Sequence, residues 1–103
     1  MTIEIIHAEI LTEQERKIAH KLFDEYYLKI KRMIKRDFLL KVHFKEYEKA
    51  GKNKKYSLNC EIFFSGKMIN SSSWDYDLAR AIHKTLKKIE TEIEHKFHSS
   101  EQK

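Results

Sequence analysis

The chain carries one cysteine, Cys60, in 103 residues, which excludes an internal disulfide and any zinc site built from several thiolates. Such sparing use fits a reducing compartment. Its two glycines, Gly51 and Gly66, stand apart, so there is no glycine-rich loop to cradle a nucleotide phosphate. The sequence places no nucleophile beside a base and no carboxylate pair at a spacing suited to acid and base roles. The chain is therefore expected not to be an enzyme, to need no cofactor and to have no small-molecule substrate. No apolar run approaches the roughly 20 residues that span a bilayer, and the opening MTIEIIHAEI lacks the basic, apolar, small-residue order of a signal peptide. A cytoplasmic protein with no membrane partner is expected.

What is present is a balance of 41% hydrophobic and 36% charged residues, the composition of a globular chain. We expect a single domain over residues 1–98, followed by a short polar tail at 99–103 that frays. The formal net charge is +5, with a sequence pI near 9.3, which suits an acidic partner such as nucleic acid. Charge gives the sign of the partner and not its identity.

Residues 75–97, DYDLARAIHKTLKKIETEIEHKF, read as one long amphipathic helix. Ala79, Ile82, Leu86, Ile89, Ile93 and Phe97 recur at steps of three and four and form the stripe to be buried. Arg80, Lys84, Lys87 and Lys88 gather on another face, with His83 and His95 at its margins. Such a band can track phosphates. Lysines on an outer helix face also serve solubility alone, and Lys88 with Glu92 has the spacing of an ordinary i,i+4 pair.

The first half of the chain repeats the design. Ile3 to Ala8 has β character and ends at Leu11, and Thr12-Glu13-Gln14-Glu15 then has the order of a capping box. Ile18, Leu22, Tyr26, Ile30 and Met33, with Ala19 and Phe23, form the expected apolar stripe of the helix that follows. Lys17, Lys21, Lys31, Arg32 and Lys35 project on the opposite side, interrupted midway by Asp24 and Glu25.

After Arg36 the period changes to two. Phe38, Leu40, Val42 and Phe44 alternate with Leu39, Lys41, His43 and Lys45, as in a half-buried strand. Residues 48–55, EKAGKNKK, read as a loop, and Tyr56, Leu58, Cys60, Ile62 and Phe64 form the apolar side of a second strand. Cys60 thus belongs to the core, and Phe63 to the less buried sheet face. Ser65-Gly66 is a tight-turn dipeptide, residues 67–72 form a third strand of this group, and Ser73 or Asp75 caps the last helix. The order is β-α-β-β-β-α. It closes most simply as an α+β fold, a two-layer sandwich with both helices on one face of a four-stranded sheet. Both basic helix faces would then combine into one cationic surface.

Other signals are weaker. His95 and His98 share a helix face, but with no cysteine nearby no metal site is expected. Trp74, Tyr76, Tyr26 and Tyr27 have the flat rings on which bases stack, although aromatics on helix stripes and beside helix starts more commonly serve packing.

The element order and the last helix resemble the ribosome hibernation-promoting factors, also described as ribosome-associated translation inhibitors, over almost the whole chain. The most specific part is Asp77-Leu78-Ala79-Arg80-Ala81-Ile82, followed by Lys88-Ile89 and Ile93. The Ser65-Gly66 turn, the Leu11-Thr12 helix entry, Lys21-Leu22 and Tyr26 also fit. Departures from the family pattern fall at Asp24, Ala79, His83, Glu92 and His95.

The resemblance implies a protein that binds the rRNA of the small ribosomal subunit in the channel used by messenger and transfer RNA, inhibiting translation during dormancy or stress. Lys21, Lys31, Arg32, Lys35, Arg80, Lys84, Lys87 and Lys88 are the expected RNA contacts, with Lys88 best matched to the family. Longer members carry a further domain that dimerises ribosomes, and this chain is expected to act as a short form without a dimerisation domain. Two other readings stay open. One is a double-stranded-RNA-binding module acting away from the ribosome, and the other is an interaction domain using the free sheet face.

Overall fold

The computed structural model describes residues 2–46 and 55–98. Most of the expected 48–55 loop and the 99–103 tail lie outside the described residues, as do the side chains of Phe97 and His98. Strand β1 (Thr2–Ile6) leads through a 3₁₀ turn (Ala8–Ile10) into helix α1 (Glu13–Ile34). Strands β2 (Leu39–Glu46), β3 (Tyr56–Phe64) and β4 (Lys67–Asp75) follow, and helix α2 (Leu78–His98) closes the order. The sheet order is β1-β2-β3-β4, with β1 parallel to β2 and the other pairs antiparallel. This is the expected α+β arrangement.

Thr12 starts α1 as its sequence dictates. Its hydroxyl accepts from the Glu15 amide at 3.1 Å, and the Glu15 carboxylate accepts from the Thr12 amide at 2.9 Å. The Tyr56 hydroxyl donates to the other Glu15 oxygen, which pins the start of β3 to the start of α1. Between β3 and β4, Ser65 and Gly66 both take positive φ, +50° and +73°. That pair of left-handed residues is the two-residue turn whose twist matches a hairpin, and it sets Phe64 opposite Lys67.

One face of the sheet carries Leu40, Val42, Phe44, Leu58, Cys60, Ile62, Phe64 and Ile69, all buried beneath the helices. Burial raises the Cys60 thiol pKa, so it stays protonated as a core residue. The other face presents Lys41, His43 and Lys45 from β2 and Met68, Asn70, Ser72 and Trp74 from β4.

Three local expectations change. First, the buried face of α1 is Ala19, Phe23, Tyr26, Tyr27, Ile30 and Ile34, while Ile18 is 46% exposed and Leu22 and Met33 lie at the margin. The aromatic rings decide this rotation: Tyr27 stacks on Phe38 at 4.3 Å and donates to its carbonyl at 3.1 Å, and Phe23 packs on Phe44. Second, β1 stops at Ile6 because His7 turns into the left-handed region, and the next residues form the 3₁₀ turn.

Third, β4 runs on through Ser73 to Asp75, so neither residue caps α2. The cap is Asp77, whose carboxylate accepts from the Arg80 amide at 2.9 Å and whose carbonyl accepts from the Ala81 amide. Within α2 the core face is Leu78, Ala81, Ile82, Thr85, Leu86, Ile89 and Ile93, with Ala79 only partly covered. The buried Thr85 hydroxyl is satisfied by donating to the Ala81 carbonyl one turn back.

Candidate nucleic-acid interface

The cations expected to contact RNA are all at the surface. On α1, Lys17, Lys21, Lys31 and Arg32 are exposed on the side away from the sheet, and Lys35 stands just past the last turn in the left-handed conformation. Lys31 is tied to Asp37 at 3.0 Å, an exposed pair that raises the lysine pKa and lowers that of the carboxylate. Such a pair exchanges readily with a phosphate, since surface ion pairs contribute little.

On α2 the four cations divide. Arg80 is exposed near the N-terminus, and Lys87 lies 3.8 Å from Glu90. The other oxygen of Glu90 is 3.5 Å from Lys29 of α1, so one carboxylate links cations of both helices. Lys84 and Lys88 turn the other way, over the outer edge of β4. Lys84 donates to the Trp74 carbonyl at 2.8 Å and to Asp75 at 3.1 Å, and Lys88 donates to the Ser72 carbonyl at 3.1 Å.

The i,i+4 pairing of Lys88 with Glu92 is thus replaced by a bond to the sheet. The physical reason is that β4 is an edge strand whose outward carbonyls need donors. The cations therefore form two zones rather than one merged band. One is the outer helix layer with Lys21, Arg32, Arg80 and Lys87, and the other is the β4 margin with Lys84 and Lys88.

Two grooves follow that margin. The larger, about 580 Å³, lies between β4 and the second half of α2 and is lined by Asn70, Ser72, Lys87, Lys88, Thr91 and His95, among others. The smaller, about 340 Å³, includes Lys45, Asn59, Ser72, Trp74, Lys84 and Lys88. Ser72 and Lys88 line both, so the grooves are continuous in position along the strand. Sequence reading omitted Lys29, Lys45 and Lys55 from the basic set. The alternation of β2 already placed Lys45 on the polar face, but only the strand register sets it in one row with Ser57 and Trp74.

Among the described residues there is no cluster of three or more histidine, cysteine, aspartate or glutamate side chains placed to hold a metal ion. Among the same residues, no helix is long and apolar enough to cross a membrane.

No protein-family model matches the sequence, and no curated protein matches it. Solved structures do share its fold. The N-terminal domain of Protein Y from Thermus thermophilus is 21% identical, with a TM-score of 0.62 over 91% of this chain and 93% of that one. A ribosomal subunit interface protein from Coxiella burnetii is 14% identical, with a TM-score of 0.57 over 90% of this chain and 93% of that one. The resemblance drawn from the sequence is borne out at the level of the fold.

Proposed function

We propose that this chain is a divergent hibernation-type factor of the cytoplasm that binds the small ribosomal subunit and inhibits translation by occupying the channel for messenger and transfer RNA. The observation that carries this reading is a fold shared with a ribosomal subunit interface protein, displaying exposed cations on both helices. RNA helices are recognised chiefly by shape, phosphates and 2′-hydroxyls, and cations held on a rigid two-layer scaffold meet those groups without reading bases. Lys21, Lys31, Arg32, Lys35, Arg80 and Lys87 take phosphates in the outer layer, and Lys84 and Lys88 take them along the β4 margin. No bond is made or broken. Inhibition is steric, because RNA already engaged by these cations leaves no room for messenger or initiator transfer RNA.

The test is co-sedimentation of purified protein with ribosomal subunits on a gradient, with and without bound messenger and initiator transfer RNA. The expected result is association with the small subunit that those RNAs compete away. Absence from every ribosomal fraction overturns the reading. Equal affinity for small subunits and for a generic RNA duplex favours a duplex-binding module working away from the ribosome.

A further inference from the structure

Trp74 is the only tryptophan of the chain and stands near the end of the edge strand with 45% of its surface exposed. A single exposed apolar side chain is ordinary. What sets Trp74 apart is its surroundings. Alternation turns it to the sheet face that the helices leave open, in the cross-strand row Lys45, Ser57, Trp74. The Lys55 ammonium lies 4.1 Å from the ring centroid and that of Lys84 lies 5.5 Å away.

Tyr76, 60% exposed, stands edge-on to the indole at 5.5 Å with the ring planes at 82°, so the two rings form a corner. The groove beside them has a polar lining that includes Asn59 and Ser72. The carboxylate of the adjoining Asp75 is held by Lys84 and the Asp77 amide.

An exposed aromatic face, flanked by ammonium groups and opening onto a polar groove, is what single-stranded nucleic acid requires. Bases stack on the ring and the cations follow the backbone. We propose that Trp74 is a stacking platform for one unpaired nucleobase, with Lys45, Lys55 and Lys84 holding the phosphates on either side. This deepens the RNA-binding reading above and rests on it: the helix cations grip folded RNA while the β4 margin takes an adjoining single strand.

The base takes the place of the Lys55 ammonium. An exposed cation–π contact is weaker than a base stack, and the flexible lysine stem lets the charge swing to a phosphate. Lys84 keeps its anchorage on the Trp74 carbonyl while facing the same groove.

Because Trp74 is the sole tryptophan, its fluorescence reports this site alone. Titration with single-stranded hexa-adenylate is expected to quench it saturably, whereas inorganic polyphosphate of matched charge is not. With fluorescein-labelled hexa-adenylate, Trp74→Ala is expected to weaken binding by about 5- to 150-fold, while Trp74→Phe, which keeps an aromatic face, retains most of it. Emission unchanged at saturating oligonucleotide overturns the platform, as does equal quenching by polyphosphate. The wild-type titration needs no variant to fold.

Co-sedimentation with small subunits separates this proposal from its parent. Sedimentation without quenching by RNA removes the platform and leaves the ribosomal reading. Quenching without sedimentation supports the platform and removes the ribosomal reading.

Discussion

The Tyr26 hydroxyl and His83 Nδ1 meet at 2.7 Å across the seam between α1 and α2. Burial, then the Glu90 and Glu25 carboxylates, hold the phenol pKa above its ordinary value of 10.0, so Tyr26 stays protonated. Lys29 rests 5.0 Å from the Tyr26 ring centroid and reaches Glu90 of α2. This seam fixes the spacing of the two helices that display the outer cations. Tyr26→Phe should cost about 0.5–1.5 kcal/mol in denaturant unfolding, the usual net worth of one hydrogen bond. A double-mutant cycle with His83→Ala should recover a coupling of similar size. Zero coupling would mean that the bond contributes nothing to stability.

The rotation of α1 can be tested by two substitutions on one helix. Ile18→Ala, at a half-open position, should change stability by less than about 0.5 kcal/mol. Phe23→Ala, in the fully buried stripe, should cost about 3–5 kcal/mol. Comparable destabilisation at both sites would return Ile18 to the buried stripe in which the sequence placed it beside Phe23. On α2, Ile82→Ala should cost about 2–5 kcal/mol without altering the salt dependence of RNA binding in the molecules that remain folded.

Salt dependence distinguishes the two cationic zones. For every phosphate that a variant no longer neutralises, the slope of log affinity against log salt should fall by roughly 0.7–0.9. Replacing Lys84 and Lys88 together at the β4 margin, and separately Lys21, Arg32 and Lys87 in the outer layer, should each flatten the slope measured with small subunits. A slope unmoved by either set would exclude that zone from the RNA interface.

Acid should loosen the start of α2. The Asp75 carboxylate accepts from the Asp77 amide at 2.9 Å and from Lys84 at 3.1 Å, and these bonds lower its pKa below the ordinary 3.8, the amide contributing first. A carboxylate with a depressed folded pKa contributes stability in full above its unfolded pKa and loses it as pH falls through the folded value. Unfolding midpoints should therefore decline below about pH 4 in the native chain. Asp75→Asn should remove part of that decline. Since Asp37 titrates in the same direction beside Lys31, some slope should persist in the variant.

Capping offers an independent check on α1. Thr12→Ala removes the hydroxyl that accepts from the Glu15 amide and should cost about 0.5–2 kcal/mol by thermal or denaturant unfolding. A larger effect would indicate that Glu15, released from Thr12, also lets go of Tyr56 at the start of β3.

The features legible in the sequence were those carried by near neighbours along the chain. The Thr12 capping box, the Ser65-Gly66 turn and the alternation of β2 and β3 are local patterns, and each appears where its residues place it. The choice of stripe on α1 was not local. Ile18, Leu22, Tyr26, Ile30 and Met33 and the parallel ladder of Ala19, Phe23, Tyr27 and Ile34 both have helical spacing. The core takes Tyr26 and Ile30 from the first and all of the second, because the rings of Phe38, just before β2, and Phe44, on β2, draw Tyr27 and Phe23 inward. Likewise Ser73 and Asp75 are good caps in isolation, yet pairing with Leu58 and Tyr56 of β3 keeps both in the strand and leaves the cap to Asp77.

The sequence by itself determined the element order, the basic character of both helices and the burial of Cys60, because period, charge and hydrophobicity are properties of residues in succession. Tertiary structure decided where the charge goes. Lys84 and Lys88 belong by helical phase to a polar face, but the unpaired carbonyls of an edge strand draw them to β4. There they stand beside a tryptophan whose companions Lys45 and Lys55 come from distant parts of the chain. That grouping depends on strand register and helix docking, which are set by contacts between segments far apart in sequence.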